Sequence, residues 1–405
     1  REMTNKLQTL LDEIDARRDE LIALTQDIIR MPTLNPPGEA YLEICEYLKV
    51  RLSKRGFDCE LVRAFDTPGD SEKYPRWNVV ARKAGACSGE CVHFNSHIDV
   101  VAVGQGWTTD PFGGELIGDK IYGRGTCDMK GFIATTLAMA PKFASAVQGR
   151  PLHFAFTYDE EVGCIGATHL AQSLQEIGIR PSVAIIGEPT DMRIIEGHKG
   201  CFEYTTRFQG LEGHGSAPEL GVNAVEYAAR YVSYLLDLKE QLRDMAPPES
   251  AFEPPWTTVN VGAVQGGSVH NVIAPKAQVD WEMRPVQKSD ADFVKSRLHA
   301  YCHEVLLPKM LAVHPDASIE TQVVGEVEGL VPTLENEAKQ IVSELTGDQH
   351  AHLVPFGTEA GIFQGIGMDV VICGPGSIEQ AHKAHEFVTV TQLERCTETP
   401  SQLST

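Results

Sequence analysis

Carboxylates and one histidine gather at the carboxyl ends of successive apolar runs, and there the chain can do chemistry. An apolar strand pattern from Val92 runs into His97-Ile98-Asp99. A glycine-rich turn, Gly123-Arg124-Gly125-Thr126-Cys127-Asp128-Met129-Lys130-Gly131, opens onto a helical pattern. Leu152–Tyr158 is a second buried-strand run, closed by Asp159-Glu160-Glu161. Val183–Ile186 is a third, closed by Gly187-Glu188-Pro189-Thr190. In an open α/β sheet, ligands sit outside the carboxyl ends of the strands. Imidazole and carboxylate are ligands that zinc accepts. The pattern reads as a metal site.

Each residue has its own argument. Strand alternation puts His97 and Asp99 on one side, so Asp99 can accept the second imidazole N–H and fix the tautomer of a metal-bound His97. Asp128 sits among glycines that hold a tight turn; alone it would serve as a helix cap. Glu160 and Glu161 are adjacent carboxylates at a buried strand end, and they repel unless something cationic lies beside them. A metal ligand next to a general base resolves that conflict, because the base need not touch the metal. Glu188, taken alone, is a turn acid before Pro189.

Helices and strands must position these groups. Leu7, Leu10, Leu11, Ile14, Leu21, Leu24 and Ile28 recur at helical spacing, so residues 5–30 are predicted as an amphipathic helix. A second helix carries Leu42, Cys45, Leu48 and Leu52 and stops at Gly56. Strands then alternate with helices to about Glu188, the signature of a sheet flanked by helices. After Asp191 the pattern changes. Strand, helix, two strands, helix and strand follow at Phe202–Phe208, Asn223–Leu242, Thr257–Val264, Lys276–Arg284, Asp290–Leu311 and Ser318–Val324. That order is the split βαβ arrangement of a two-layer α+β, ferredoxin-like domain. Helix and strand patterns resume at Glu335–Leu345 and Val370–Cys373. The expected fold class is therefore α/β: a mostly parallel sheet flanked by helices over residues 1–191 and 328–405, interrupted by an inserted domain at 192–327.

Composition narrows the function. At 405 residues the chain exceeds one comfortable core. A formal net charge of −21 argues against nucleic acid or anionic membrane as partner. No apolar run is long enough to span a bilayer, and the first residues show no charged-then-apolar leader pattern. The ten cysteines are scattered, and the one close pair, Cys87 and Cys91, reads as two thiols of a reducing cytoplasm. No dinucleotide fingerprint, P-loop or Gly-x-Ser-x-Gly pattern occurs, so redox, nucleotide and serine-hydrolase readings lose their usual signals.

Taken together and in order, the four segments resemble the di-zinc aminoacylases and exopeptidases of the acetylornithine deacetylase and succinyl-diaminopimelate desuccinylase type, over about Leu21 to Val388. Gly213-His214-Gly215-Ser216-Ala217-Pro218 and Gly374-Pro375-Gly376-Ser377-Ile378-Glu379-Gln380-Ala381-His382-Lys383 complete the match. The latter run and Gly357-Thr358-Glu359-Ala360-Gly361 look most like acetylornithine deacetylase. The resemblance implies two Zn2+ per subunit, with Co2+ or Mn2+ as substitutes. His97 and Glu188 would bind one metal, Glu161 and His382 the other, and Asp128 would bridge them. Asp99 would orient His97, and Glu160 would be the general base. His385, in Ala384-His385-Glu386 where those deacetylases usually carry Pro-Asp-Glu, competes with His382 as ligand; His382 is preferred for its place after Gln380-Ala381. The resemblance further implies a homodimer through the inserted lid and dimerisation domain, with His214 reaching the partner subunit's site. The implied reaction is hydrolysis of an N-acyl amino acid, with N2-acetyl-L-ornithine the first choice. A dipeptidase or carboxypeptidase, or another deacylase, is the alternative, and a non-catalytic metal-binding protein a remote one.

Substrate contacts are expected from Arg284 and Asn271, since arginine offers a planar fork to a carboxylate. Glu359, beside Thr358, is expected to face the cationic side chain of an ornithine-like substrate. Lys199 follows the position where the desuccinylases carry basic substrate-binding residues.

Overall fold

The computed structural model describes residues 1–83, 90–146, 149–176 and 181–398. By its internal contacts the chain forms two compact units. The first comprises Arg1–Gly197, Pro332–His352 and Thr358–Thr405; the second comprises His198–Val331 and Leu353–Gly357.

The first unit is organised by an eight-stranded sheet. Its order is Asp58–Ala64, Arg76–Lys83, Leu152–Thr157, Val92–His97, Val183–Ile186, Asp369–Ile372, Ile194–His198, Ala351–Val354. The four middle strands, from Leu152–Thr157 to Asp369–Ile372, pair in parallel, and their outer neighbours Arg76–Lys83 and Ile194–His198 pair antiparallel to them. Val92–His97, Leu152–Thr157 and Val183–Ile186 are buried at every position. Strands covered on both faces need continuous apolar runs, which is the pattern their sequences carry. The His97 strand departs from it in one respect. Alternation puts Val92 and Phe94 on one face and His93, Asn95 and His97 on the other, so a line of polar side chains runs along the middle of the sheet.

Helices Glu2–Ile29 and Tyr41–Lys54 form near their predicted limits. The apolar stripe of the first is buried only in its second half, at Leu21, Leu24, Ile28 and Ile29, while Leu7, Leu10 and Leu11 are exposed. A three-stranded sheet that periodicity did not reveal pairs Phe387–Thr389 with Lys120–Tyr122, and Lys120–Tyr122 with Glu115–Ile117. Its strands are only three residues each, too short to show a period. It brings the carboxyl-terminal segment back beside the Asp128 turn.

The second unit is an antiparallel four-stranded sheet in the order Thr258–Gly266, Lys276–Arg284, Cys201–Gln209, Ser318–Val327. Ala277, Val279, Trp281 and Met283 are buried and alternate with less buried neighbours, the one-sided pattern of a sheet with one face packed. Helix Ala224–Arg243 packs there, started by Asn223, whose side chain accepts from the N–H groups of Val225 and Glu226. A two-residue ribbon pairs Gly213–His214 with Val272–Ile273. The units divide after Gly197 and after Val331, later than the joints expected at 191 and 327, because Ile194–His198 is a strand of the first sheet. The return of Leu353–Gly357 to the second unit had no local signal in the sequence. Of the Cys87 and Cys91 pair, Cys87 lies outside the described residues; Cys91 is a buried free thiol.

Candidate active site

Six side chains converge at the carboxyl ends of the first unit's middle strands. His97 ends its strand, and Asp128 comes from the glycine-rich turn before helix Gly131–Ala146. Glu160 and Glu161 follow Leu152–Thr157, Glu188 follows Val183–Ile186, and His382 comes from the loop before Phe387–Thr389. Asp128 is the centre. One of its oxygens lies 3.0 Å from His97 Nε2 and the other 3.1 Å from His382 Nε2. Glu188 Oε1 completes the first group at 3.2 Å from His97 Nε2. Glu161 completes the second at 3.3 Å from His382 Nε2. Two triads, His97/Asp128/Glu188 and Asp128/Glu161/His382, thus share one carboxylate.

This donor set fits a pair of divalent cations. Two donors held about 2.0–2.1 Å from one zinc at a tetrahedral angle lie roughly 3.3–3.4 Å apart, and Zn2+ takes nitrogen and oxygen in that geometry. The separations here run from 3.0 to 3.3 Å. His97 Nδ1 donates to the backbone carbonyl of Asp99 at 2.9 Å, so Nε2 presents its lone pair to the carboxylates. Glu188 Oε1 is buried without a hydrogen-bond partner among the described residues. The nearby cations are committed elsewhere. Arg124 pairs with Glu386 at 2.8 Å, and Lys130 donates to the carbonyls of Ile28 and Met31.

Electrostatics follows from this crowding. Burial, reinforced by neighbouring carboxylates, pushes Glu160 and Glu161 well above the usual carboxyl range and Glu188 up to about 7. Burial alone would lower His97, but Glu160 and Glu188 more than reverse it and hold the imidazole well above its ordinary value. Asp128 runs the other way: despite burial, its bonds to His382 and His97 hold it well below the usual range. Glu160 stands 3.6 Å from His97 Nε2 and belongs to neither triad built on Asp128.

Asp99 works differently from the sequence expectation. Its carboxylate is 3.5 Å from His97 Nδ1, and its backbone carbonyl, at 2.9 Å, is the better acceptor. The carboxylate instead accepts the N–H groups of Glu160 and Glu161, both at 3.0 Å. It therefore holds the turn that aims the two glutamates. Of the two competing histidines, His382 reaches Asp128, with a left-handed φ of 62° at its own backbone. His385 turns away, and its Nε2 accepts the Thr108 N–H at 2.7 Å.

Two buried carboxylates that sequence reasoning did not single out hold this frame. Glu386 accepts from Arg124 and from the N–H groups of Gly125, Cys127 and Asp128 at 2.8–3.1 Å. It fixes the turn that presents Asp128, at whose Gly125 (φ +91°) a Cβ would lie 2.5 Å from Val100. Asp159, one residue before Glu160, accepts from Arg76, Tyr41 and Asn35 at 2.8–3.0 Å. A signal existed: Arg76 and Arg124 stand in apolar company, and a buried arginine requires an acid.

A protein-family model described as peptidase family M20/M25/M40 matches residues 93–404, which contain all six converging side chains. The chain belongs to that family. Acetylornithine deacetylase of Myxococcus xanthus is 33% identical, covering 87% of this chain and 89% of that protein. The Klebsiella pneumoniae protein of the same name is 33% identical over 94% and 96%. Solved structures share the fold at low identity. A metallo-carboxypeptidase of this family from Sulfolobus solfataricus matches with a TM-score of 0.70 and 17% identity over 95% of this chain and 98% of its own. A dinuclear metal binding peptidase from Bacillus subtilis gives 0.62 and 17% over 96% and 98%. This M20 member is a metal-dependent amidohydrolase. Among its described residues no helix is long and apolar enough to cross a membrane.

The remaining expected site residues of the M20 chain fall in two places. Thr358 and Glu359 lie in the first unit, wholly buried. Glu359 requires a correction: its carboxylate accepts from Thr157 Oγ1 at 2.7 Å and from Asn95 Nδ2, so it faces the sheet and not a substrate's cation. Burial pushes it up to about 7. His214, Asn271, Arg284 and Lys199 lie in the second unit. His214 is exposed, and its Nδ1 accepts the Ser216 N–H at 3.1 Å, which leaves Nε2 to carry the proton. Asn271 is exposed, and its backbone carbonyl accepts the Gly215 N–H at 2.7 Å. Arg284 and Lys199 line a cavity of about 590 Å3, where Arg284 also pairs with Glu282 at 3.1 Å and Lys199 donates to the Trp256 carbonyl.

Proposed function

We propose that the chain hydrolyses the amide bond of an N-acyl amino acid, with N2-acetyl-L-ornithine as substrate and L-ornithine and acetate as products. The observation that carries the reading is the carboxylate shared between two histidine–glutamate groups, with Glu160 beside them, 3.6 Å from His97 Nε2. The acetylornithine deacetylases that match most of the chain support the choice of acyl group and amino acid. Two Zn2+ ions per subunit would be held by His97, Asp128 and Glu188 and by Asp128, Glu161 and His382. When bound they would polarise the amide carbonyl and lower the pKa of a water towards about 7.

The chain's own residues do the rest. Glu160 takes the proton of the attacking water and hands it to the leaving nitrogen, which a group outside the ligand set can do without losing metal. The Asp99 carboxylate fixes Glu160 and Glu161 through their N–H groups, and its carbonyl keeps the His97 lone pair on Nε2. His214 donates from Nε2 to the developing oxyanion of the partner subunit's site in a two-fold dimer. Arg284 and Asn271 hold the substrate carboxylate and backbone. Nine free cysteines among the described residues suit a cytoplasmic enzyme.

A panel of N-acetyl, N-formyl and N-succinyl amino acids and of dipeptides, assayed with zinc, cobalt and manganese, tests the reading. N2-acetyl-L-ornithine should give the highest kcat/KM. A dipeptide or a succinyl substrate hydrolysed faster would replace it.

A further inference from the structure

Away from the metal ligands, on the first unit's sheet, lies a cavity of about 480 Å3. Such a volume suits a small molecule. Its floor is a polar row that runs across the strands and meets the His97 strand at His93. Cross-strand register places Asp58 opposite Arg82, Arg82 opposite His153, and His153 opposite His93. Asp58, Arg82 and His153 line the cavity, with Glu60 beside Asp58 on the edge strand. His153 is 1% exposed, yet its Nε2 is buried with no hydrogen-bond partner among the described residues. A buried polar atom left unpaired is costly and calls for a partner.

The hydrogen bonds decide what that partner offers. Asn95 donates through Nδ2 to Glu359, so its Oδ1 accepts from His93 Nε2–H at 3.0 Å. His93 then has only a lone pair at Nδ1, and His153 Nδ1–H donates to it at 2.6 Å. The amide orientation of Asn95 sets the direction of this relay, and Thr157 supports it: its Oγ1 donates to Glu359 and so accepts from Asn95 Nδ2. Both imidazoles are neutral: burial lowers His93 to about 4 and holds His153 well below its ordinary value. His153 Nε2 is therefore an acceptor and needs an N–H or O–H from the ligand. Next to it, Arg82 is exposed and makes no ion pair or hydrogen bond among the described residues. Its fork suits a carboxylate.

We propose that this cavity binds a small free α-amino acid, with the carboxylate on Arg82 and the α-ammonium donating to His153 Nε2. Asp58 and Glu60, both exposed on the edge strand, favour a side chain carrying a second positive charge. L-Arginine is the probe, and N-acetyl-L-arginine, which lacks the ammonium, is its control. None of the cavity's residues is a metal ligand, so this site stands whether or not the proposed substrate is correct.

The test is titration of the metal-loaded enzyme labelled with 15N-histidine. The His153 resonance is identified by its coupling to His93 across their shared hydrogen bond. L-Arginine should move the His153 Nε2 signal. N-acetyl-L-arginine should do so only at roughly tenfold or higher concentration, as should L-arginine with Arg82→Glu, since losing a charged partner costs at least about a factor of ten. Arg82→Glu should leave basal hydrolysis unchanged. A His153 signal that stays still while the His97 or His382 signals move would mean that arginine binds at the metal centre only, and would overturn the proposal. Equal affinity in Arg82→Glu, or for the acetylated control, would overturn it as well.

Discussion

Two kinds of buried carboxylate cluster sit within the first unit, and they differ in what neutralises them. Glu386 and Asp159 are wholly buried, and each has an arginine and further donors: Arg124 with three backbone N–H groups, and Arg76 with Tyr41 and Asn35. Among the described residues, Glu160, Glu161 and Glu188 have no arginine or lysine partner. They face two imidazoles and one another. A satisfied cluster is a support, because its charge is spent on holding backbone. The unsatisfied one has charge left to face a cation. Residue type is the same in both; the partners make the difference.

That contrast can be broken experimentally, beginning with the largest effect. Glu160→Gln should cut kcat by roughly 10²–10⁴-fold while metal analysis still finds the full complement, because a positioned base is lost and no ligand is. Loss of metal with the activity would put Glu160 among the ligands. Glu386→Ala should act on the frame. It leaves Arg124 buried and unpaired, a change worth about 3–5 kcal/mol in denaturant unfolding, and metal affinity should fall by roughly 10–100-fold because Asp128 is no longer held. Unchanged unfolding and unchanged metal affinity would remove Glu386 from the supporting set.

His214→Ala should cost about 2.7–4 kcal/mol in transition-state stabilisation, the range for one oxyanion donor. Mixed with Glu160→Ala under conditions of subunit exchange, it should regain activity, since one site of each heterodimer is intact. Exchange without recovery would confine His214 to its own chain or to no catalytic role. A smaller effect is expected from Arg284→Lys, which loses the planar fork and keeps the charge. KM should rise by about tenfold with the melting temperature unmoved; unaltered kinetics would leave Arg284 as the partner of Glu282 alone.

The smallest effect tests the corrected role of Glu359. Its folded pKa, about 7, lies above the ordinary carboxyl value of 4.5. Its contribution to stability is therefore fully present below about pH 4.5 and is lost as pH rises through about 7. Glu359→Gln should remove that slope, making the variant more stable than the parent at pH 8 by about 1–2 kcal/mol in chemical denaturation. Losses on acetylornithine and acetylmethionine should be equal. A selective loss on acetylornithine would return Glu359 to the substrate.

Much of the candidate site was legible because each member closes an apolar run or a glycine turn. His97 ends a buried strand, Glu160, Glu161 and Glu188 stand just past others, and strand ends in a parallel sheet point to one edge. Glu386 and Asp159 were not legible, since an acid that satisfies backbone N–H groups from far along the chain leaves no local period. Glu359 misled for a related reason. Its neighbours Thr358 and Ala360 do not tell inward from outward, and only packing against Asn95 and Thr157 turns it into the sheet.

By itself, the sequence determined the alternation of strand and helix, the inserted second unit and the residue types that meet at the strand ends. Those depend on periodicity and on short-range backbone preference, which are properties of neighbouring residues. Only the tertiary structure decided between His382 and His385, three residues apart and both with left-handed φ, because one reaches Asp128 and the other Thr108. It likewise decided that the Asp99 carbonyl, and not its carboxylate, accepts the hydrogen bond from His97 Nδ1–H, and where the units divide. Each of these turns on which distant group completes a buried atom's hydrogen bonding, and that requirement is met through space and not along the chain.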